Sequence, residues 1–260
     1  MASSYDRVIE IAFFESYGAG KAEVIIHRSR IEQIAIEQGV SIKNLGDVIY
    51  QKRYRAALPK AITDLAPAGH EWVIQGAGDA IYRFVLKRGG QILPSANRAV
   101  IKVPDATPSI IAKYALNDEQ ALLAKIRYNR LVDLFLRLTC YSLQNHLRTK
   151  VKDVGQIEID ELYLGIDRAG AHHVIPVQAK GKSDKLSTVQ IWQDICFCRE
   201  RFSLLHCRPV GAMFLPNQVI AVFEFIEEDD EIRVVEERHY QLVPADQISA
   251  ADLAAYRSDR

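Results

Sequence analysis

The sequence predicts an α/β (α+β) fold whose larger part is a mixed β-sheet flanked by helices. Segments with helical spacing alternate with short apolar strand-like runs over residues 111–260, in the order helix, three strands, helix, strand. This order implies a mixed sheet that is covered on both faces. A stretch rich in Gly, Pro, Ser and Asn precedes this region. We therefore expect one domain at 1–88, a linker at 89–110 and a second domain at 111–260.

The expected first domain contains two helices followed by a hairpin. Residues 29–38 and 44–55 have apolar side chains at helical spacing, and a short third helix can begin at Pro59. Two strand-like runs within 71–87 flank a Gly-rich turn at 76–79. Helices followed by a two-stranded ribbon resemble a winged helix-turn-helix domain. The resemblance implies that the helix at 44–55 lies in the major groove of double-stranded DNA.

The charge distribution supports DNA binding only locally. The chain has 33 Lys and Arg and 33 Asp and Glu, so its total charge does not indicate a nucleic-acid partner. Residues 43–60, however, hold five basic residues against the single acid Asp47, and a local patch can act where the total charge cannot. The alternative is a small helical domain with a solvated charged face. The candidate DNA contacts on this helix are Lys43, Gln51, Lys52, Arg53 and Arg55.

The expected second domain opens with helices and continues with strands. One helix is expected from Glu119, and a long amphipathic helix is expected over 129–147. A further helix is expected over 187–202. The expected strands lie at 150–153, 156–166, 173–180, 208–215, 218–226 and 232–241.

Two of these strands carry polar residues within otherwise apolar runs. Glu158 and Asp160 lie two residues apart and therefore share one face of their strand, and Gln178 and Lys180 do the same on the next strand. Placing these groups at the ends of apolar strands is costly without a compensating partner. A bound cation is one such partner. An ordinary salt bridge between Asp160 and Lys180 is the alternative.

Asp160, followed after an apolar strand by Gln178-Ala179-Lys180, resembles the motif of the PD-(D/E)XK nuclease superfamily, and the order of elements over about 125–215 is similar. The resemblance implies a Mg²⁺ ion bound by Asp160, the side-chain carbonyl of Gln178 and the backbone oxygen of Ala179. Mn²⁺ is expected to substitute. Mg²⁺ prefers oxygen ligands and keeps several waters, which agrees with this donor set. Lys180 is then expected to orient the attacking water or to stabilise charge on the phosphate.

Gln178 departs from the superfamily pattern, which usually has Asp or Glu at this position. The amide removes one negative charge, and Glu158 is expected to restore it. Asp133 is a candidate for the additional helical acid of the superfamily, or else a solvated surface charge. Three residues after the motif are candidates for phosphate contacts or else belong to an ordinary solvated helix start: Lys182, Lys185 and Gln190.

The sequence thus predicts a magnesium-dependent endonuclease of restriction type that hydrolyses double-stranded DNA. A homodimer is expected, because one active site cuts one strand. The alternatives are a repair or recombination nuclease and a non-catalytic DNA-binding regulator with a decayed nuclease domain, for which Gln178 is the best support. Because no segment resembles a signal peptide or a membrane span, a cytoplasmic protein with no membrane association and with reduced cysteines is expected.

Overall fold

The fold was described from a computed structural model that covers residues 4–41, 45–54, 56–115, 119–181 and 184–258. The chain divides into two compact units. The first comprises Met1–Ile92, Arg148–Glu158 and Ser187–Glu200, and the second comprises Leu93–Leu147, Ile159–Leu186 and Arg201–Arg260. A large mixed sheet flanked by helices confirms the expected α/β class. Across the described ranges, every helix is too short or too polar to cross a bilayer.

Helices and strands are interspersed along the described residues. In chain order they are α1 (Ser4–Ser16), β1 (Glu23–His27), α2 (Arg28–Glu37), α3 (Leu45–Tyr54), α4 (Lys60–Thr63), β2 (His70–Gly76), β3 (Ile81–Arg88), β4 (Gln91–Ile92), β5 (Val100–Pro104), α5 (Ser109–Tyr114), α6 (Glu119–Tyr128), α7 (Leu131–Leu136), β6 (Thr139–Val151), β7 (Gly155–Ile166), β8 (His172–Lys180), β9 (Leu186–Ser187), α8 (Thr188–Arg201), β10 (His206–Cys207), β11 (Val210–Phe214), β12 (Val219–Glu228), β13 (Glu231–Val243) and α9 (Ala250–Ser258).

The first unit contains a three-stranded antiparallel sheet in the order β1-β3-β2. Its core joins the apolar side of α1 to the sheet and to α2 and α3. Phe13 of α1 is fully buried and meets Trp72 and Phe84 edge to face, with ring centroids 5.1 and 5.4 Å away. The expected helices at 29–38 and 44–55 and the expected hairpin are confirmed within about two residues. Helix α1 and strand β1 were not predicted.

The second unit is built on the eight-stranded sheet, whose path is β5-β13-β12-β11-β8-β7-β6 with β10 beside β8. β8 runs parallel to β11 and antiparallel to β7, so the sheet is mixed. Helices α6 and α7 bury their apolar residues on one face, against Ile175, Val177 and Ala179 of β8. The stretch expected as a linker contains β5, which pairs in parallel with β13.

The prediction of a long helix over 129–147 is wrong. Helix α7 ends at Leu136, and β6 begins at Thr139. Arg137 has φ 56° and ψ 42°, a left-handed conformation that terminates the helix. The spacing of apolar residues in this segment fits a helix, but the sheet supplies hydrogen-bond partners along β7, and this long-range pairing decides the structure.

Gly76, at the end of β2, lies very close to the backbone of the loop between β6 and β7. A Cβ built on Gly76 would be 1.7 Å from the carbonyl oxygen of Val154. Because this oxygen belongs to the backbone, it cannot rotate away as a side chain can. The first unit therefore requires glycine here.

We expect Gly76→Ala to lower the free energy of unfolding by about 1–3 kcal/mol, the usual cost of overpacking. Gly181→Ala is the matched control, because a Cβ at Gly181 meets no described atom within 4 Å. Urea denaturation measures both. Equal stability of the two variants would contradict the close approach.

Ser95, which precedes β5, forms two hydrogen bonds to the buried carboxylate of Glu237 on β13. The Ser95 amide donates to Glu237 Oε1 at 2.8 Å and its hydroxyl donates to Oε2 at 2.6 Å. Nε2 of His239 also lies 2.8 Å from Oε1. Burial raises the pKa of Glu237, but the hydrogen bonds from Ser95 and His239 outweigh burial and hold this pKa below its usual range.

Ser95→Ala is expected to destabilise the chain near neutral pH by about 1.5–3 kcal/mol, the range for a hydrogen bond to a charged group. Because the folded pKa of Glu237 is lowered, its stabilisation is present above the unfolded value of about 4.3 and is lost as pH falls through the folded value. Urea titrations of both proteins at several pH values test this. A stability difference that does not shrink in acid would contradict it.

Candidate functional site

Strand β8 carries the candidate tripeptide in the interior of the large sheet. Gln178 and Ala179 are fully buried, and they lie opposite Gly211 and Ala212 of β11. A Cβ on Gly211, beside Gln178, would lie 2.8 Å from Leu186 Cδ1 and 2.9 Å from a ring carbon of Phe225, so a larger residue would displace these side chains. The apolar sequence of β8 thus fixes a polar amide in a tightly packed environment.

Asp160 is held against this tripeptide by a hydrogen bond. The backbone N–H of Ala179 donates to Asp160 Oδ2 at 2.8 Å, and the residue is only 8% exposed. The described pairing of β7 with β8 runs from Glu161 and Val177 to Ile166 and His172. Asp160 immediately precedes Glu161 on β7. Its side-chain carboxylate therefore contacts the backbone of the neighbouring strand β8. The structure thus places the Asp160 carboxylate beside the backbone of this tripeptide.

Lys180 forms an ion pair that was not predicted from the sequence. Its Nζ lies 3.2 Å from Oε1 of Glu119, and its side chain is 12% exposed. Glu119 is the first residue of α6 and lies 61 residues earlier in the chain. An acid at the start of a helix is usually explained by the helix dipole alone. The sequence therefore gave no signal for a contact between Glu119 and Lys180.

Glu161, next to Asp160, belongs to the opposite side of β7. Its side chain is fully buried, and it accepts hydrogen bonds from Arg127 Nε at 2.8 Å and Ser142 Oγ at 2.7 Å. The hydrogen bond to Glu161 raises the pKa of Arg127 despite partial burial. Burial, together with the neighbouring Glu161 carboxylate, raises the pKa of the Tyr163 hydroxyl. Glu161 is thus neutralised by its own cation and serves the packing of α6 on the sheet.

The two other candidate acids have partners of their own. Glu158 accepts a hydrogen bond from Arg148 at 3.1 Å and is half-buried. Asp133 lies on α7, pairs with Arg130 and accepts the N–H of Cys140 at 3.0 Å. Asp133 therefore connects the end of α7 to β6, and it also lines a cleft of about 240 Å³ on the helix-covered side of the sheet.

The residues of α3 that were predicted to contact DNA lie in different environments. Lys52 pairs with Asp6 of α1, and Arg53 Nε donates to the carbonyl of Ile74 at 3.3 Å. These two basic side chains stabilise the first unit internally. Gln51 is exposed.

The remaining candidate DNA contacts follow the tripeptide or flank residues 45–54 in the sequence. Lys185 is exposed and Gln190, on α8, is half-buried. Three candidates lie outside the described residues: Lys43, Arg55 and Lys182.

The donor set around Asp160 suits a hard cation, although it is not a cluster of acids. Among the described residues, no group of three or more His, Cys, Asp and Glu side chains is placed to hold a metal ion. Asp160 supplies a buried carboxylate, Gln178 a buried amide oxygen and Ala179 a main-chain carbonyl. Mg²⁺ takes oxygen ligands and needs few from the protein, because it keeps several waters. In their chemistry, these donors are therefore of the kind that Mg²⁺ takes.

Comparison of the chain with protein-family models, with curated proteins and with solved structures found no match.

We expect Arg127→Met to lower the free energy of unfolding by about 3 kcal/mol, because it leaves the fully buried Glu161 without its counter-charge. The matched control is Arg148→Met, which breaks the more exposed pair with Glu158 and should cost less than about 1 kcal/mol. Urea denaturation of both variants checks the ranking. Equal costs would contradict the structural role of Glu161.

Proposed function

We propose that this chain is a magnesium-dependent endonuclease of restriction type that hydrolyses phosphodiester bonds in double-stranded DNA. The observation that carries the proposal is the hydrogen bond from Ala179 to Asp160, which holds a buried carboxylate beside Gln178 and Lys180. This arrangement agrees with the resemblance of these residues to the PD-(D/E)XK motif. It supports a restriction-endonuclease-like fold for the sheet.

Asp160, the Gln178 side-chain oxygen and the Ala179 carbonyl are the proposed Mg²⁺ ligands. When bound, Mg²⁺ supplies Lewis-acid polarisation of the phosphate and lowers the pKa of a water. Lys180 is the proposed catalytic cation, and its ammonium group stabilises charge that develops on the phosphate oxygens. Glu119 holds this ammonium group in position through the 3.2 Å ion pair. We therefore propose Glu119, rather than Glu158, as the acid that accompanies Asp160 in the site.

The first unit is the proposed DNA-binding module, with a winged-helix-like fold. Support comes from the chain order, in which α1, β1, α2, α3, α4 and a β2-β3 hairpin follow one another, and from the sheet order β1-β3-β2. The exposed face of α3, which includes Gln51, is the proposed contact with the major groove. Lys52 and Arg53 contribute less than the sequence suggested, because both are engaged within the unit.

Gln178 favours one other function, a DNA-binding regulator whose nuclease site is inactive. A neutral amide at this position lowers the negative charge available to a metal ion. Cleavage assays separate the two functions.

Incubation of supercoiled plasmid with the protein and Mg²⁺ is expected to give nicked and linear products. We expect Asp160→Asn and Lys180→Met each to reduce the cleavage rate at least about a hundredfold, because each removes a group that acts on the transition state. Asp133→Asn is the matched control and should retain activity, since Asp133 is bonded to Arg130 and Cys140 instead. Gel electrophoresis measures all four proteins.

Uncut plasmid with the wild-type protein would favour the regulator. Loss of cleavage in Asp133→Asn but not in Asp160→Asn would place the site elsewhere. Discrete fragments from linear duplex indicate a restriction-type enzyme, whereas a requirement for branched or damaged DNA indicates repair or recombination.

A further inference from the structure

The outer edge of the large sheet is formed by a long strand that carries no charge in its first half. Strand β6 is last in the sheet order. Its residues 139–145 read Thr-Cys-Tyr-Ser-Leu-Gln-Asn, and every residue from 141 to 146 is exposed. Tyr141 is 59% and Leu143 is 50% exposed. Native edge strands are usually protected against pairing by charges, prolines or bulges. Here the first irregularity is His146, whose φ is 52°.

The opposite edge of the same sheet is protected by charged residues, as native edge strands usually are. β5 pairs only with His239–Val243 of β13, which leaves the first part of β13 without a described neighbour on that side. Four charged residues of this part are exposed or half-buried, namely Glu231, Arg233, Glu236 and Arg238. The contrast indicates that the open edge of β6 is built for pairing.

The direction of the side chains on β6 follows from one contact. Ser142 Oγ donates to Glu161, so the even-numbered residues of this segment face the helices. Tyr141 and Leu143 therefore point to the other face, because successive side chains alternate. On β7 that other face carries Asp160, the neighbour of Glu161. The exposed apolar side chains of the edge thus lie on the same face of the sheet as Asp160.

We propose that residues 141–145 pair antiparallel with the same segment of a second copy of this chain, centred on Leu143. In this register Leu143 meets its own copy and Tyr141 meets Asn145, and no charged residue faces another. Arg148, the nearest charge on the strand, lies outside the paired segment. The eight-stranded sheet then continues across the dimer, and both protomers gain backbone hydrogen bonds that the edge otherwise makes with water.

This dimer has a consequence that rests on the proposed nuclease function. An antiparallel pair of identical strands is related by a two-fold axis perpendicular to the sheet, so both Asp160 faces point the same way. Asp160 lies one strand in from the edge on each side, and three strand spacings of about 4.8 Å separate the two β7 strands by about 14 Å. This separation is on the scale of the DNA grooves, about 6 and 12 Å wide. The two sites can therefore address the two strands of one duplex.

Sedimentation of the full chain without DNA tests the interface. The wild type is expected to be a dimer at tens of micromolar, and Leu143→Lys is expected to weaken the dimer at least about tenfold by opposing two charges at the two-fold axis. Val235→Lys, at a 55% exposed position of β13, is the control and should remain a dimer. In Leu143→Cys, mild oxidation is expected to give a covalent dimer on a non-reducing gel, because directly opposed strand residues have Cα atoms within disulfide reach.

A monomeric wild type, or a Leu143→Lys protein that dimerises as well as the wild type, would overturn the proposal. Dissociation by Val235→Lys alone would assign the interface to β13 and also overturn it. Plasmid cleavage separates this result from the proposed function. If Leu143→Lys loses the dimer and mostly nicks plasmid, both proposals are supported. If it loses the dimer and no protein cleaves, the interface is supported and the nuclease function fails.

Discussion

The hydrogen bond from the Ala179 amide to the Asp160 carboxylate is the interaction on which the candidate site depends. A buried carboxylate without partners is unfavourable by several kcal/mol, whereas a hydrogen bond to a charged group contributes about 1.5–3 kcal/mol. At 2.8 Å this bond offsets part of the cost of burying Asp160. The same bond brings the carboxylate to the tripeptide that contains Gln178 and Lys180.

The alternation of side chains along β7 gives two neighbouring acids opposite roles. Glu161 points toward α6 and is neutralised there by Arg127 at 2.8 Å. Asp160 points to the other face, where β8 presents Gln178 and Lys180. Because side chains alternate along the strand, Glu161 is a structural carboxylate and the adjacent Asp160 is a candidate catalytic one. The pair between Glu119 and Lys180 balances the charge at the end of β8.

Local patterns predicted much of this fold because they report local structure. The spacing of Ile31, Ile34 and Ala35 predicted α2, and the apolar run around Val177 predicted β8. The sequence failed at 139–147, where helical spacing was overridden by pairing with β7. It also missed Phe13 and the rest of α1, whose packing against β2 and β3 depends on contacts distant in sequence.

The candidate site was predictable where its residues share strands, and not where they meet across the chain. Asp160, Gln178 and Lys180 were indicated by the period of two within β7 and β8. Glu119 was missed, because 61 residues separate it from Lys180 and no motif links them. The basic residues of α3 show the opposite error. Lys52 and Arg53 were predicted to contact DNA, but they pair with acceptors within their own unit.

A metal ion at Asp160 is tested most directly by a crystal of the protein soaked in Mn²⁺ and measured at a wavelength where manganese scatters anomalously. We expect a peak about 2.1 Å from an oxygen of Asp160 and from the side-chain oxygen of Gln178. A peak at Asp133, or no peak beside Asp160 at millimolar Mn²⁺, would contradict it.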